Sequence, residues 1–139
     1  MINSRKIYDL LPHVAKACVE HKARVEMELG IELLITSTYR DVESQNALYA
    51  QGRTAPGMVV TNARGGDSFH QYHVAYDVVP VVAGKLVWET SNPVWREIGR
   101  IGKECGLEWA GDWNRFQEFP HFQITGGWTI EDFKSGRTA

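Results

Sequence analysis

Apolar residues recur at helical spacing within the first thirty residues of the chain. His13 lies among them, and the recurring positions are Leu10, Val14, Cys18, His21, Val25 and Leu29. A period of three to four residues places them on one face, so the pattern predicts an amphipathic helix over residues 7 to 29. Gly30 follows directly and is suited to end this helix. Both histidines of the helix are predicted to be structural.

Capping residues mark three shorter helices. Asp41 can cap a helix that runs to residue 51, and Pro93 suits the first turn of a helix that runs to residue 105. Thr129, with a carboxylate three residues later, predicts a short capped helix near the end of the chain.

Strands are predicted where apolar and β-branched residues follow one another without helical spacing. Residues 31 to 36 and 74 to 82 fit this pattern, with 86 to 88 as a hairpin partner and 119 to 124 as a last strand. Between residues 52 and 67 the glycine-rich sequence predicts a long irregular loop that forms one wall of a cleft. We therefore predict an α+β fold in which a small antiparallel sheet packs against helices.

Length and composition fit one compact domain over residues 1 to 139. The chain has 139 residues, 43% of them hydrophobic and five of them tryptophan, which suffices for one core. A formal net charge of −2 gives no electrostatic case for binding nucleic acid or a membrane surface. No apolar run approaches the ~20 residues that span a bilayer, and no secretory signal is visible. We expect a monomer made in the cytoplasm, with Cys18 and Cys105 as reduced thiols.

Histidines and carboxylates are concentrated in two segments. His70 and Asp77 lie within residues 68 to 77, and Glu118 lies three residues before His121. Two imidazoles and one carboxylate form a three-ligand set typical of catalytic zinc, which leaves a coordination position open for water. A structural zinc site would use four protein ligands, usually rich in cysteine, and this chain cannot supply them. The pattern predicts a zinc hydrolase in which Glu118 takes a proton from water.

These segments resemble the motifs of a zinc peptidase family that includes D-Ala-D-Ala carboxypeptidases, phage L-alanyl-D-glutamate endopeptidases and the hedgehog signalling domain. The family motif S-x-H-x-x-G-x-A-x-D matches residues 68 to 77, and E/D-x-x-H matches residues 118 to 121. The resemblance implies that His70, Asp77 and His121 bind zinc. The resemblance covers roughly residues 30 to 128. Further segments that resemble the family lie at residues 37 to 40, 45, 52 to 57, 60 to 63, 111 to 113 and 120 to 123.

One position departs from the family motif. The glycine three residues after the first ligand is His73 in this chain. A glycine there would suit a positive φ angle, which histidine adopts more often than most other residues. The backbone can therefore be kept. We predict that His73 binds substrate or braces a ligand, with metal ligation or simple filling of the slot as the alternatives.

Residues other than the ligands and the base also receive predicted roles. The resemblance implies that Arg40 holds a carboxylate or the oxyanion of the scissile carbonyl, with a plain salt bridge as the alternative. Ser68, Gln45 and Trp113 are predicted to contact substrate, although Ser68 could instead brace its loop. The residues placed in the cleft or behind a ligand are Trp109, Asp112 and Trp113, with core packing as the alternative for the tryptophans.

The resemblance implies hydrolysis of peptidoglycan stem peptides. Residues 52 to 63 resemble the endolysin branch, which favours cleavage between L-Ala and D-Glu by a phage or prophage lysin. Without a separate wall-binding domain or a signal peptide, we expect the protein to reach the cell wall through a membrane lesion. A D-Ala-D-Ala or L,D-carboxypeptidase is the alternative on the same peptides. A zinc-bound but catalytically idle interaction module is the alternative of another class, and the intact Glu118 argues against it.

Overall fold

The computed structural model describes residues 1 to 136 as an α+β fold, which confirms the predicted class. The helices are α1 (Pro12–Leu29), α2 (Val42–Ala50), α3 (Val94–Glu104) and α4 (Ile130–Lys134). The strands are β1 (Glu32–Ser37), β2 (Ala75–Val82), β3 (Lys85–Leu86), β4 (Glu108–Trp109) and β5 (His121–Gln123). Short 3-10 turns lie at Ile7–Asp9, Phe69–Tyr72 and Ala110–Asp112.

The strands form one antiparallel sheet in the order β1-β2-β5-β4, with β3 paired to β2. Strand β2 is therefore central and connects the other strands. Its Asp77 lies opposite His121 of β5. On its other side Asp77 lies opposite Ser37, after a register shift between Ile35 and Ser37 of β1. The sheet thus brings two predicted ligands together, although 44 positions separate them in the chain.

Close packing joins helix α3 to the sheet. A Cβ on Gly99 would lie 2.4 Å from the ring of Trp109, and one on Gly102 would lie 2.6 Å from the ring of Phe122. Because side chains cannot approach so closely, these glycines let the helix backbone rest on the aromatic rings of β4 and β5.

Helix α1 packs against the same core and carries a buried histidine, as predicted. The His21 ring donates from Nε2 to the Ile98 carbonyl at 2.9 Å and accepts at Nδ1 from the Tyr76 hydroxyl at 2.7 Å. Burial lowers the pKa of His21 to about 4, so the ring is neutral. His13 is exposed on the same helix, and its structural role stays a prediction. Cys18 is a buried free thiol whose pKa burial raises to about 12.

The predicted helix over residues 7 to 29 was wrong at its start. Ile7–Asp9 forms a separate turn, and α1 begins at Pro12. Proline lacks an N–H and restricts the residue before it, and Leu11 is accordingly extended at φ −58° and ψ 148°. The predicted end is confirmed, since Gly30 adopts the left-handed conformation at φ 67°.

The other predicted boundaries hold to within about two residues, except at the short strands. Asp41 caps α2 by accepting from the Ser44 N–H at 2.8 Å, and Thr129 begins α4 with a capping box. The hairpin partner of β2 lies at Lys85–Leu86 rather than at residues 86 to 88, and β4 was not predicted. Within residues 1 to 136 no helix is both long and apolar enough to cross a bilayer.

Candidate metal centre

Three side chains from separate elements meet at one end of the sheet. His70 lies in the 3-10 turn before β2, Asp77 lies in β2, and His121 begins β5. The Oδ1 atom of Asp77 is 3.3 Å from Nε2 of His70 and 3.1 Å from Nδ1 of His121. The three ligand atoms all lie within 4.8 Å of one another. A single cation placed among them can therefore contact all three.

Local hydrogen bonds orient His70. Its Nδ1–H donates to the Thr38 carbonyl at 2.7 Å, so Nε2 carries the lone pair that faces Asp77. Ser68 begins the 3-10 turn and accepts from the His70 N–H at 3.2 Å. The Gln71 side chain accepts from the Ser68 N–H at 3.1 Å and completes a capping box. The Ser68-x-x-Gln71 sequence therefore builds the turn that presents the first ligand.

His121 is oriented by Gln123 of its own strand β5 and, through Gln123, by Glu108 of the neighbouring strand β4. Its Nε2 lies 2.7 Å from Oε1 of Gln123, and Nδ1 faces Asp77. The Gln123 amide in turn donates from Nε2 to the Glu108 carboxylate at 3.2 Å. Metal-binding histidines usually have such a partner on the second ring nitrogen.

The electrostatics of the cluster favour an ionised Asp77. Burial opposes the charge and raises the pKa, but His70 and His121 outweigh it and hold the pKa of Asp77 well below its usual range. Burial lowers the pKa of His121, and the hydrogen bond and charge of Asp77 outweigh that effect and raise it. A carboxylate and two imidazole nitrogens directed at one point suit zinc, which takes three such ligands and leaves a position open. The described residues therefore fit the predicted cofactor.

Arg40 lies beside the cluster with its guanidinium largely buried. Nη2 is 3.6 Å from Oδ2 of Asp77 and donates to the Ser37 hydroxyl at 3.1 Å. Nη1 donates to Oε1 of Gln45 at 2.9 Å. Burial lowers the pKa of Arg40, and the charges of Asp77 and Glu118 oppose that shift, so the group stays cationic. The ion pair with Asp77 is present, and the oxyanion role stays a prediction.

Gln45 is a buried hydrogen-bond partner of Arg40. It is 1% exposed, and its Nε2 donates to the Ala63 carbonyl at 2.8 Å. The amide thus ties the arginine to the loop at residues 61 to 63. Gln45 is absent from the described residues that line the cleft, so its role as a substrate contact stays a prediction.

His73 adopts the left-handed conformation at φ 64°, where the family motif has glycine. Its Nδ1 lies 2.6 Å from the Asp9 carbonyl, and its ring stacks on Tyr39 at 4.1 Å between centroids. It is outside both the ligand cluster and the described cleft lining. The predicted backbone is thus present, and substrate binding by His73 stays a prediction.

A cleft of about 440 Å³ opens over the cluster. Its lining residues are Arg40, Leu48, Val60, Thr61, Ala63, Asp67, Ser68, Phe69, His70, Asp77, Trp113, Glu118 and His121. The irregular loop supplies one wall, as predicted. A second cavity of about 480 Å³ adjoins it, shares five lining residues with it, and reaches Val59 and Phe116.

Glu118 is exposed and lines both cavities. Its N–H donates to the Ala110 carbonyl at 3.2 Å, and its own carbonyl accepts from the His121 N–H at 3.2 Å. These backbone bonds fix the carboxylate-bearing residue to the strand that carries the third ligand. Its charge acts on both Arg40 and His121. Among the described residues its carboxylate has no hydrogen-bond partner, so it is free to act on water.

Of three residues predicted to lie in the cleft or behind a ligand, Trp109, Asp112 and Trp113, only Trp113 lines the cleft. Trp113 lines the cleft, with its ring centroid 5.7 Å from that of His121. Trp109 is buried and donates from its indole N–H to the Phe119 carbonyl at 2.8 Å, so the core alternative is correct. Asp112 pairs with Lys103 at 2.9 Å. The prediction that Asp112 lies in the cleft or behind a ligand was wrong, because α3 supplies its partner at the surface.

Comparison with known proteins agrees with this geometry. The family described as D-alanyl-D-alanine carboxypeptidase matches residues 61–124, which include the three clustered side chains and Glu118. The peptidoglycan L-alanyl-D-glutamate endopeptidase CwlK of Bacillus subtilis is 39% identical over 103 residues. The family resemblance predicted from the sequence is confirmed. The match covers 68% of this chain and 62% of CwlK, so the chain spans about six tenths of that relative.

Two solved structures share the fold of this chain. The L-Ala D-Glu endopeptidase ChiX of Serratia marcescens superposes with a TM-score of 0.60 at 22% identity, covering 89% of each chain. A variant of the D,D-pentapeptidase VanY from a VanB-type vancomycin resistance cassette, solved with Zn(II), gives a TM-score of 0.60 at 16% identity. That match covers 90% of this chain and 83% of VanY.

Sequence reasoning missed the residues behind the third ligand. Gln123 lies within a segment that resembles the family, but no role was predicted for it from the sequence. No role was predicted for Glu108 either. Strand alternation places Gln123 on the same side of β5 as His121, which is a signal that could have been used. Glu108 carried no such signal, because its place depends on the pairing of β4 with β5.

Proposed function

We propose that this protein is a zinc peptidase that hydrolyses the amide bond between L-Ala and D-Glu in peptidoglycan stem peptides. The observation that carries the proposal is the cluster of His70, Asp77 and His121 on the floor of a cleft that Glu118 also lines. CwlK and ChiX, which resemble the chain in sequence and in fold, are both described as endopeptidases for this bond.

The residues of the cleft have complementary tasks. A zinc ion held by the cluster would supply a Lewis acid for the amide carbonyl and would lower the pKa of water. The carboxylate of Glu118 accepts the proton of the attacking water and passes it to the leaving amine. Arg40 holds the Asp77 carboxylate and adds positive charge where the carbonyl oxygen becomes negative.

The shape of the cleft supports cleavage within a chain. The cavity above the cluster adjoins the second cavity, and Val60 and Glu118 line both, whereas Phe116 lines only the second. A groove that extends beyond the reacting centre can hold substrate residues on both sides of the scissile bond. A carboxypeptidase needs room for only a single terminal residue on one side of the scissile bond.

Carboxypeptidase activity is the second candidate, because the matching family is described as D-alanyl-D-alanine carboxypeptidase. The two activities give different products. The zinc-loaded protein should be incubated with purified muropeptides and the products identified by mass spectrometry. A new free amino group on D-Glu supports the endopeptidase, whereas release of D-Ala alone supports the carboxypeptidase. Glu118→Gln is the control, and the absence of any new product with zinc-loaded protein would favour an idle module.

We further propose that the protein serves as a phage or prophage lysin that is made in the cytoplasm, works as a monomer and acts on the wall after release. The support is the resemblance of residues 52 to 63 to the endolysin branch. Expression in a Gram-negative host should cause lysis when the inner membrane is permeabilised. Unchanged turbidity after permeabilisation, with active protein in the extract, would contradict this role.

A further inference from the structure

The hydrogen bonds behind His121 end on a carboxylate, which determines the direction of every bond in the chain. Oε1 of Glu108 lies 3.2 Å from the Gln123 amide nitrogen, and a carboxylate can only accept. The amide must therefore turn its Nε2 towards Glu108 and its Oε1 towards His121. That oxygen accepts from Nε2–H of His121 at 2.7 Å, so the proton of the neutral ring lies on Nε2.

This proton position leaves Nδ1 of His121 with a lone pair that faces Asp77. If the amide were reversed, its oxygen would face the carboxylate of Glu108, and two acceptors would repel each other. Its NH₂ group would then donate to Nε2 of His121 and shift the ring proton to Nδ1. A protonated Nδ1 cannot bind a cation. The charge of Glu108 thus selects the form of His121 that can be a ligand.

Glu108 is itself held in place by the two donors of Thr125. Its Oε2 accepts from the Thr125 N–H at 2.9 Å and from the Thr125 hydroxyl at 3.1 Å. Strand β4 consists of two residues, and its Glu108 lies directly opposite Gln123 of β5. Gln123 is 4% exposed, so its amide has little access to water as an alternative partner.

We propose that Gln123 and Glu108 are positioning residues that set the tautomer of His121 and thereby the zinc affinity of the site. The proposal rests on the zinc site of the proposed function. Loss of a partner behind a metal-binding histidine typically weakens metal binding 10- to 100-fold. We expect an effect of that size for Gln123→Leu, since leucine keeps the bulk but cannot accept the Nε2–H.

The main measurement is the zinc dissociation constant, obtained by competition with a chromophoric chelator. Tyr76→Phe is the matched control, because it removes a buried hydrogen bond to His21, which is not a ligand. Gln123→Leu should raise the zinc dissociation constant by roughly 10- to 100-fold, whereas Tyr76→Phe should change it by less than about twofold. Equal values for the two variants would overturn the proposal. Failure of the parent protein to bind zinc would instead overturn the proposed function.

Exchanging the amide of Gln123 and the carboxylate of Glu108 tests whether these residues act through their hydrogen bond or only by filling space. Gln123→Glu keeps an acceptor for His121 but sets two carboxylates against each other, so zinc binding should weaken. The double variant Gln123→Glu with Glu108→Gln restores a donor to the new carboxylate and should recover most of the affinity. If the double variant binds zinc no better than Gln123→Glu alone, the carboxylate does not act through this hydrogen bond and the proposal fails.

A third variant tests the same hydrogen bonds without changing a core residue. Glu108→Gln changes an exposed residue, and its new amide no longer forces the direction of the Gln123 amide. The zinc dissociation constant should therefore rise in Glu108→Gln, while thermal unfolding stays close to that of the parent. An unchanged zinc dissociation constant in Glu108→Gln would refute the proposal.

Discussion

Replacement of Glu118 by glutamine tests the chemistry of the cleft without disturbing the metal or the fold. The change keeps the shape of the side chain but removes its ability to accept a proton. Loss of a general base typically lowers turnover by roughly 10²- to 10⁴-fold. At about 1.36 kcal/mol per tenfold change, this corresponds to a barrier raised by roughly 3 to 5 kcal/mol.

The structure predicts that little else changes. Glu118 is exposed, and its carboxylate has no hydrogen-bond partner among the described residues, so the free energy of unfolding should shift by less than about 0.5 kcal/mol. Its side chain is outside the ligand cluster, so zinc should be retained. The assay measures turnover on muropeptides, zinc content and thermal unfolding in parallel. Glu89→Gln, at an exposed glutamate outside the cleft, is the control. Turnover within about threefold of the parent, with zinc bound, would refute the assignment of the base.

Three further predictions follow from single histidines. His121→Ala should lose most of its zinc by atomic absorption, because one of three ligands is gone, whereas exposed His13→Ala should keep it. His73→Gly should keep zinc and lose about 1 kcal/mol of stability in urea unfolding. The lost ring stacking and hydrogen bond outweigh the backbone strain that glycine relieves at φ 64°. Loss of zinc from this variant would make His73 a ligand. The pKa of His21 is about 4 in the folded protein, below its ordinary 6.5, so the unfolded chain binds its proton first as the pH falls. Stability of the zinc-free protein should therefore drop by roughly 3 kcal/mol between pH 6.5 and 4, and an equal drop in His21→Gln would contradict this.

Features set by neighbouring residues could be predicted from the sequence. The cap at Asp41 and the helix end at Gly30 depend on bonds within a few residues, and both are present. The left-handed backbone of His73 followed from the glycine of the family motif. The ligand cluster was also predictable, because the spacing of its residues matches a motif with known chemistry.

Features set by contacts between distant segments could not be predicted. Strand β4 has two residues and no apolar pattern, and it exists because Glu108 and Trp109 pair with β5. The sequence placed Asp112 near the metal, but its partner Lys103 lies on a helix whose position depends on the whole core. The spacing of apolar residues along a helix or strand shows which of its faces is buried. It does not show which other helix or strand packs against that face.

The origin of the three ligands in separate segments links the metal to the stability of the whole fold. Zinc bound between β2, β5 and the turn before β2 would act as a cross-link between distant parts of the chain. An ion that binds only the folded state stabilises it by roughly 4 kcal/mol when free zinc is 1,000 times its dissociation constant. A chain in a zinc-poor compartment would therefore unfold and be degraded more readily than the same chain where zinc is plentiful. The supply of one ion would then control both how active the protein is and how long it survives.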